Sequence, residues 1–461
     1  ILNGGTLRYT GSAASTDRLF SVGTAGGTID DASPTYVNLS FVNPGTIGFN
    51  GQTGARTLTF TGGHNMLTLY PTLSDNGGAS SMVTTKDGDL FVLGNNNYSG
   101  TTTVMNGSLW VGTNSNTGSL GSGIVTNNAA LVFSRTDDVT VENTINGVGS
   151  LTKTGSGTLT LAGVNSYTGS TNITAGVLSV GLLANGGVNS NIGASSSYAS
   201  SLVINGGTLR YTGPSAATDR LFSVGGSGGG ATIDASGTGT LTFNNTSALG
   251  LSNGASPRLL TLTGASPGTL FPIFMDDVGA ASSLLVSGTS QWELRGNNTY
   301  SGTTTISSAD LLIGGGTNIG SLGTGQVVDN GHLYFARSDA ITIANPISGS
   351  GRVYQAASGG TLTLDGTHSY TGDTFVTQGT LLVNGSIVSA VTVQGGTLGG
   401  TGTTGAITVN SGGTVAPGNS PGILHTGNTT FAPGSTFRVD LNGVTPGTQF
   451  DQLIANGTVN I

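Results

Sequence analysis

The chain has 461 residues, of which only 13 are Lys or Arg and 21 are Asp or Glu, so its formal net charge is −8. Phosphate binding requires clustered basic side chains, and because no basic run occurs, the charge argues against nucleic acid and makes an anionic membrane surface a poor partner. With 81 glycines, 35% hydrophobic residues and no cysteine, the composition favours an all-β body with many turns over a disordered chain, and it excludes disulfides and thiolate–metal sites.

No stretch indicates a helix. No apolar run approaches the roughly 20 residues that a membrane-spanning helix requires, so no membrane span is expected in this chain. No 12-residue window keeps helical apolar spacing without Gly or Pro. Because the chain begins at Ile1 in the middle of a repeated pattern, we expect it to be an internal piece of a longer precursor.

A long internal duplication starts at the first residue. The segments ILNGGTLRYTGSAASTDRLFSVG (1–23) and VINGGTLRYTGPSAATDRLFSVG (203–225) agree at 18 of 23 positions. Later segments match at the same 202-residue offset. We therefore predict two repeat copies, 1–202 and 203–383, followed by further coils over 384–461 that continue beyond the chain.

A shorter unit lies inside each copy. The stretch GTLTLAGVNSYTGSTNITAGVLSV (157–180) alternates Thr and Leu over 158–161, which predicts a strand with both leucines on one face. Further short strands are predicted at 172–174 and 177–180, separated by Gly-rich turns. Related tyrosines mark the unit, 69, 133 and 70 residues apart: Tyr98, Tyr167, Tyr300 and Tyr370. Three turns of about 23 residues would account for the spacing of 69 or 70.

Short strands with a period near 23 residues predict a right-handed parallel β-helix, a solenoid forming one elongated rod. One coil cannot bury its apolar face alone, whereas stacked coils hydrogen-bond along the axis and enclose a continuous apolar column. A series of sandwiches or barrels is the alternative fold, and it is less compatible with the period because a β-sandwich needs about 100 residues.

Segments 88–111, 155–180, 289–313 and 359–383 are variants of the pattern G-x-L-x-L-x-G-x-N-x-Y-[S/T]-G-x-T-x-[V/I], followed by G-x-L-x-[V/I]. Segments 88–111 and 289–313 depart from it in the first strand, and His368 replaces the Asn in 359–383. This pattern resembles the autotransporter-associated β-strand repeat of bacterial passenger domains. The tail at 411–443 is similar to the carboxy-terminal part of the same passengers. The resemblance implies a right-handed parallel β-helix that is secreted and exposed at the bacterial surface.

Three acidic pairs are the catalytic candidates, because parallel β-helices include polysaccharide lyases and hydrolases. They are Asp30–Asp31, Asp137–Asp138 and Asp276–Asp277. Adjacent strand residues point to opposite faces, so such a pair does not readily supply two converging carboxylates. Asp30 and Asp137 also recur at the repeat offset, which favours roles in turns or caps.

Histidines and other motifs give no catalytic set. The four histidines, at positions 64, 332, 368 and 425, are scattered, and no Cys–His, H-E-x-x-H or G-x-S-x-G motif occurs. We interpret Thr-Asp-Arg at 16–18 and 218–220 as a corner salt bridge or capping contact. The Gly-rich stretch 225–234 is interpreted as a flexible loop rather than a calcium repeat. No cofactor or metal is expected.

The four tyrosines could form an aromatic ladder for sugars, but we favour an interior role in which each packs over its own Gly turn. The two copies differ most at 62–89 and 264–291, and loops tolerate such change. The residues expected there as surface contacts are His64, Tyr70, Phe271 and Phe274.

The first functional hypothesis is a non-enzymatic structural or adhesive protein of the bacterial surface, able to assemble into filaments or a surface layer and to contact glycans or neighbouring cells. The alternative is a carbohydrate-active β-helix protein that binds or cleaves polysaccharide.

Overall fold

The computed structural model describes residues 1–34, 37–226, 229–252 and 254–461. In these ranges it contains short β-strands and a single 3₁₀ turn at Ala199–Ser201, with no α-helix. None of its described helical segments has the length and apolar character to cross a membrane. The predicted all-β solenoid is confirmed: parallel strands wind through about 19 turns, each of which we call a coil.

The first strands in chain order are as follows: β1 Thr6–Tyr9, β2 Ala14–Thr16, β3 Gly27–Asp31, β4 Asn38–Phe41, β5 Arg56–Gly62, β6 Met66–Leu69, β7 Ser80–Thr84, β8 Asp89–Val92, β9 Thr102–Val104, β10 Ser108–Ser115, β11 Val125–Asn127, β12 Ala130–Arg135, β13 Val139–Val141, β14 Ile145–Asn146, β15 Ser150–Thr154, β16 Thr158–Leu161, β17 Thr171–Ile173, β18 Val177–Val180, β19 Leu202–Ile204, β20 Thr208–Tyr211, β21 Ala216–Thr218 and β22 Ser223–Val224.

The remaining strands follow: β23 Ala231–Ala235, β24 Leu241–Phe243, β25 Gly250–Leu251, β26 Arg258–Gly264, β27 Gly268–Leu270, β28 Ser282–Val286, β29 Gln291–Leu294, β30 Thr304–Ile306, β31 Asp310–Ile313, β32 Val327–Asp329, β33 His332–Phe335, β34 Ala340–Ile343, β35 Ile347–Ser348, β36 Arg352–Gln355, β37 Thr361–Leu364, β38 Thr367–His368, β39 Thr374–Val376, β40 Thr380–Val383, β41 Ser386–Ile387, β42 Val391–Val393, β43 Thr397–Gly399, β44 Ile407–Val409, β45 Thr414–Val415, β46 Ile423–Thr426, β47 Thr429–Phe431, β48 Thr436–Phe437, β49 Gln452–Ala455 and β50 Val459–Asn460.

The chain divides into two compact units, one formed mainly by Ile1–Gly225 and the other mainly by Ile233–Ile461. These units are defined by contacts between residues and not by the sequence repeat, so the predicted boundaries at 202 and 383 remain predictions. The right-handed winding and the rod shape also remain predictions. Within the Gly-rich stretch predicted as a loop, residues 227 and 228 lie outside the described residues, and 231–235 form β23.

In the first unit, strands from successive coils pair in parallel along three faces. One face is the seven-stranded sheet β1-β3-β5-β7-β9-β11-β14, a second runs from β2 through β10 and β12 to β22, and a third carries β13-β16-β18-β20. The pairing is in register, so that Leu109 of β10 lies opposite Leu131 of β12 and then Leu151 of β15. Equivalent residues of successive coils therefore lie one above another.

The second unit is organised in the same way. The order β26-β28-β30-β32-β35 forms one face and β24-β27-β29-β31-β33-β36-β39-β42-β44-β47-β50 another. The six-stranded sheet β34-β37-β40-β43-β45-β48 and the pairs β38-β41 and β46-β49 supply the remaining strands. Inward positions alternate with outward ones along each strand, as the period of two predicts.

The inward positions form the core of each unit. Within residues 157–180, Leu159 and Leu161 of β16 are 2% and 1% exposed, and the threonines between and before them face outward. The corner between β17 and β18 uses Gly176 at φ +63°, where an added Cβ would lie 2.5 Å from the Gly155 carbonyl oxygen. Strand alternation and close corner packing thus both follow from the sequence of one coil.

The four repeat tyrosines are interior residues, each 0% exposed, as we favoured from the sequence. Each hydroxyl lies 2.6–2.8 Å from a threonine hydroxyl four residues later. Burial raises the pKa of Tyr300 to about 12. A ladder of these side chains for sugars is therefore excluded. The rings of Tyr98, Tyr167 and Tyr300 lie beside Gly121, Gly193 and Gly323 of the following coil rather than over their own Gly turns.

One buried acid distinguishes the two copies. Asn127 of β11 donates from Nδ2 to the Ser150 carbonyl at 2.8 Å. Asp329 holds the corresponding position in β32 and accepts the Gly331 N–H at 3.0 Å, but its Oδ2 is buried and has no hydrogen-bond partner among the described residues. Burial raises the pKa of Asp329 to about 6, because an ionised carboxylate here lacks solvation.

We predict that Asp329→Asn stabilises the protein more at pH 7.5 than at pH 4. A carboxyl whose folded pKa is raised contributes stability below its unfolded pKa, and this contribution is lost as the pH rises through about 6. The expected gain at pH 7.5 is about 2 kcal/mol. Thermal unfolding followed by circular dichroism at both pH values measures it. Asn127→Asp is the matched control and should lose stability mainly at pH 7.5; a gain that does not change with pH would contradict the prediction.

Candidate functional site

The expected surface contacts are dispersed, and one is an interior residue. In the first unit, His64 precedes β6 and Tyr70 follows it, and both are exposed. In the second unit Phe271 follows β27 and has the Arg295 guanidinium 5.1 Å from its ring centroid. Phe274, by contrast, is only 1% exposed.

The expectation for Phe274 is therefore wrong. Its ring packs at 5.2 Å from the ring of Tyr300, inside the second unit. The residue lies in an irregular segment between β27 and β28, where the alternation of the flanking strands does not fix the direction of a side chain. His64, Tyr70 and Phe271 remain predicted contacts.

The first acidic pair, Asp30 and Asp31, points to opposite faces as the strand geometry requires. Asp30 lies outside, 3.3 Å from Arg8 Nε. Asp31 lies inside, 3.2 Å from Lys86 Nζ, and both of these side chains are 0% exposed. Lys86 also donates to the Gly63 carbonyl at 2.9 Å, so the buried charges are paired and hydrogen-bonded.

The second pair occupies a corner. Arg135 donates to both carboxylate oxygens of Asp137, at 2.8 and 2.6 Å. Asp138 accepts the Thr158 N–H of the next coil at 2.8 Å. The Arg135 hydrogen bond lowers the pKa of Asp137, and the Thr158 hydrogen bond lowers that of Asp138. Both groups are thus anionic parts of turns.

The third pair is also held by neighbouring coils. Asp276 accepts the N–H groups of Ser282 and Ser301 at 2.7 and 2.9 Å. Asp277 pairs with the buried Arg258 guanidinium at 2.6 Å. Although burial opposes ionisation, the backbone hydrogen bonds lower the pKa of Asp276 overall. Each pair therefore engages its carboxylates separately, in turns and ion pairs.

The histidines do not gather either. His332 Nδ1 lies 2.7 Å from Asp310 Oδ1 on a partly exposed face. His368 accepts the Ile347 N–H at 3.3 Å through Nδ1, where Asn165 Oδ1 accepts the Ile145 N–H in the first copy. Burial lowers the pKa of His368, which favours the neutral ring that can accept this bond. Within the described ranges no group of three or more His, Cys, Asp or Glu side chains could hold a metal ion.

The Thr-Asp-Arg corner at 218–220 acts mainly through its arginine, whereas Asp17 and Arg18 of the corner at 16–18 are exposed. Arg220 is 1% exposed and donates to backbone carbonyls of 184–195, including Ser195 at 3.0 Å and Gly193 at 2.9 Å. Asp219 accepts the Gly186 N–H at 2.7 Å. The predicted capping contact is therefore present, and it fastens a segment that the second copy lacks.

Sequence reasoning missed two groups of outward aromatic side chains. In the first unit, Phe91 and Trp110 stack at 5.4 Å on β8 and β10, and Trp110 Nε1 donates to Asp89 at 3.2 Å. In the second unit, Tyr334 stacks on Tyr354 at 4.3 Å. A signal was available, because these residues occupy outward positions of strands whose inward positions are mostly aliphatic, but recognising it requires the register between coils.

The second group is longer. Tyr354 also stacks on Phe375 at 5.0 Å with ring planes 15° apart, so three rings lie on the consecutive strands β33, β36 and β39. We call Tyr334, Tyr354 and Phe375 the aromatic rank. Parallel rings of this kind attract each other by about 0.5–1.5 kcal/mol per pair beyond their burial. The three residues are half-buried, and their rings stack on the outward side of the sheet.

Comparison with known proteins agrees with the repeat pattern. Residues 87–111, 151–180, 284–313 and 357–383 match the family model described as Passenger-associated-transport-repeat. Each matched segment contains one of the buried repeat tyrosines.

A curated protein from Brucella suis biovar 1 (strain 1330), the Adhesin BmaC autotransporter, is 36% identical over 355 residues. The match covers 76% of this chain and 8% of that protein, so the chain spans a small part of its relative. No solved structure matches. The chain therefore carries four passenger-associated-transport repeats, as its repeated segments predict, and is similar over most of its length to part of an autotransporter adhesin.

Proposed function

We propose that the chain is part of a surface-exposed adhesive and structural passenger that works through shape and surface contact rather than catalysis. The observation that carries this proposal is the 36% identity to an adhesin autotransporter over three quarters of the chain. Supporting it, the three acidic pairs are engaged separately in turns and ion pairs. A secreted or cell-surface location follows from passenger repeats, and we propose the bacterial outer surface as the finer location.

Regular uncharged faces support self-association as part of this function. In the second unit, outward threonines lie opposite one another on consecutive strands of one sheet: Thr361, Thr380, Thr397, Thr414 and Thr436. Neighbouring strands are about 4.8 Å apart, so these hydroxyls and methyls form an evenly spaced, charge-free column. Such a column can pack against its equal on another copy without desolvating a charge.

Adhesion is tested with beads that carry the purified chain, applied to epithelial cell monolayers and to glass. We predict attachment at least tenfold above beads that carry albumin, because the contact surface belongs to this segment. Incubation of the chain with acidic and neutral polysaccharides, with and without calcium, should release no new sugar ends. Attachment equal to albumin would contradict the proposal, and polysaccharide cleavage lost on Asp-to-Asn change would favour the carbohydrate-active alternative.

Lateral assembly is tested by electron microscopy of the chain at high concentration. Filaments or sheets are expected for the unaltered chain, and Thr380→Lys together with Thr414→Lys should abolish them by placing like charges in the column. The matched control places two lysines at Thr160 and Thr126, outward positions of the first unit. Separate particles at every concentration would contradict assembly, as would assembly that persists in the Thr380/Thr414 variant but fails in the control.

A further inference from the structure

The open end of the aromatic rank offers a ring face. In the same outward phase, Phe375 is followed by Thr392, Thr408 and Thr430 on the next three strands of the sheet. Threonine is too short to cover a phenyl ring. Because strands are about 4.8 Å apart, a flat ring laid over Thr392 would continue the stack at the spacing the protein already uses.

A row of polar groups runs beside these rings. Asp310, His332 and Arg352 lie opposite one another on β31, β33 and β36. On β33 and β36 they come two residues before the tyrosines of the aromatic rank. The next position in line is Asp373, whose carbonyl accepts the Val353 N–H at 3.2 Å. We call these four residues the polar rank.

The polar rank combines donors and acceptors without a strong field of one sign. His332 Nδ1 and Asp310 Oδ1 are 2.7 Å apart, and both side chains are more than a third exposed. Arg352 is exposed and forms no salt bridge with any residue in the described part of the chain. Two carboxylates, one guanidinium and one imidazole nearly balance, so a ligand rich in hydroxyls suits the row better than a polyanion or polycation.

The two copies show that this face is not required by the fold. The inward leucines Leu131 and Leu333 are both 0% exposed, so the core is preserved between copies. At the outward positions, the first copy has residues without ring or charge in place of those of the second: Ala130 for His332, Val132 for Tyr334, Ser150 for Arg352 and Thr152 for Tyr354. The second copy thus adds four recognition side chains to one face of a scaffold that does not need them.

We propose that this face of the second unit binds an uncharged glycan, with one pyranose stacked on Phe375 above Thr392 and its hydroxyls hydrogen-bonded to the nearest members of the polar rank, Asp373 and Arg352. The proposal rests on the adhesive function above and names the partner class. The electron-rich face of an aromatic ring attracts the C–H groups of a pyranose. Asp373 and Arg352 supply charge-assisted hydrogen bonds to these hydroxyls.

Isothermal titration calorimetry of the whole chain tests the proposal, using cellohexaose, laminarihexaose and mannohexaose as neutral probes and heparin and polysialic acid as charged ones. We expect at least one neutral hexasaccharide to bind and to lose affinity at least tenfold in Phe375→Ala. Thr392→Trp should weaken it equally, because the indole occupies the place of the sugar. Thr363→Trp, an outward change on another sheet of the same unit, should bind within twofold of the unaltered chain.

Unchanged circular dichroism and melting temperature establish that each variant is folded. Three results would overturn the proposal: no neutral probe binds, only the charged probes bind, or Phe375→Ala binds as well as the unaltered chain. Bead attachment separates this outcome from failure of the proposed function. Attachment that persists in Phe375→Ala and is not inhibited by the hexasaccharides leaves the adhesive function standing and excludes this site.

Discussion

The structure depends on one constraint: a single coil cannot bury its own apolar face. Short strands expose one side to water unless another coil covers them, so stability comes from in-register parallel pairing between neighbours. The leucines of successive coils lie directly opposite each other and are almost fully buried within each unit. Each strand is therefore stabilised mainly by what lies one coil away.

That constraint separates the chemistry of the inside from that of the outside. Inward positions must be apolar, or must satisfy their polar groups locally, as the tyrosine–threonine pairs and the Lys86–Asp31 ion pair do. Asp329 is one exception among the described residues, because its buried Oδ2 has no hydrogen-bond partner. Outward positions are free of this demand, and the two copies use the freedom differently, with Thr152 in one and Tyr354 in the other. Function can therefore vary on the surface without cost to the core.

Alternation and repetition predict a large part of the fold. The strands of the quoted stretch, predicted at 158–161, 172–174 and 177–180, occur at Thr158–Leu161, Thr171–Ile173 and Val177–Val180. Phe274 was predicted wrongly because no alternation governs the loop between β27 and β28. Its burial depends on the ring of Tyr300, which lies 26 residues later in the chain and is brought there only by stacking.

The aromatic rank escaped sequence reasoning for a related reason. Tyr334, Tyr354 and Phe375 are separated by 20 and then 21 residues. Because coils differ in length, no constant sequence spacing reveals that these residues lie in one column. Local periodicity identifies which face a residue is on, but only the register between coils identifies its neighbours. Residues that are neighbours on the outer surface are thus a whole coil apart in the sequence, whereas the alternation that predicts core residues is visible within one strand.

Disulfide cross-linking tests the in-register stacking most directly, because the chain has no cysteine of its own. Thr361 lies opposite Thr380, which lies opposite Thr397, so cysteines at 361 and 380, or at 380 and 397, should form a disulfide under mild oxidation. Cysteines at 361 and 397 are two coils apart, about 9.6 Å, beyond the reach of a disulfide. Efficient cross-linking of that distant pair, or none of the adjacent pairs, would contradict the account.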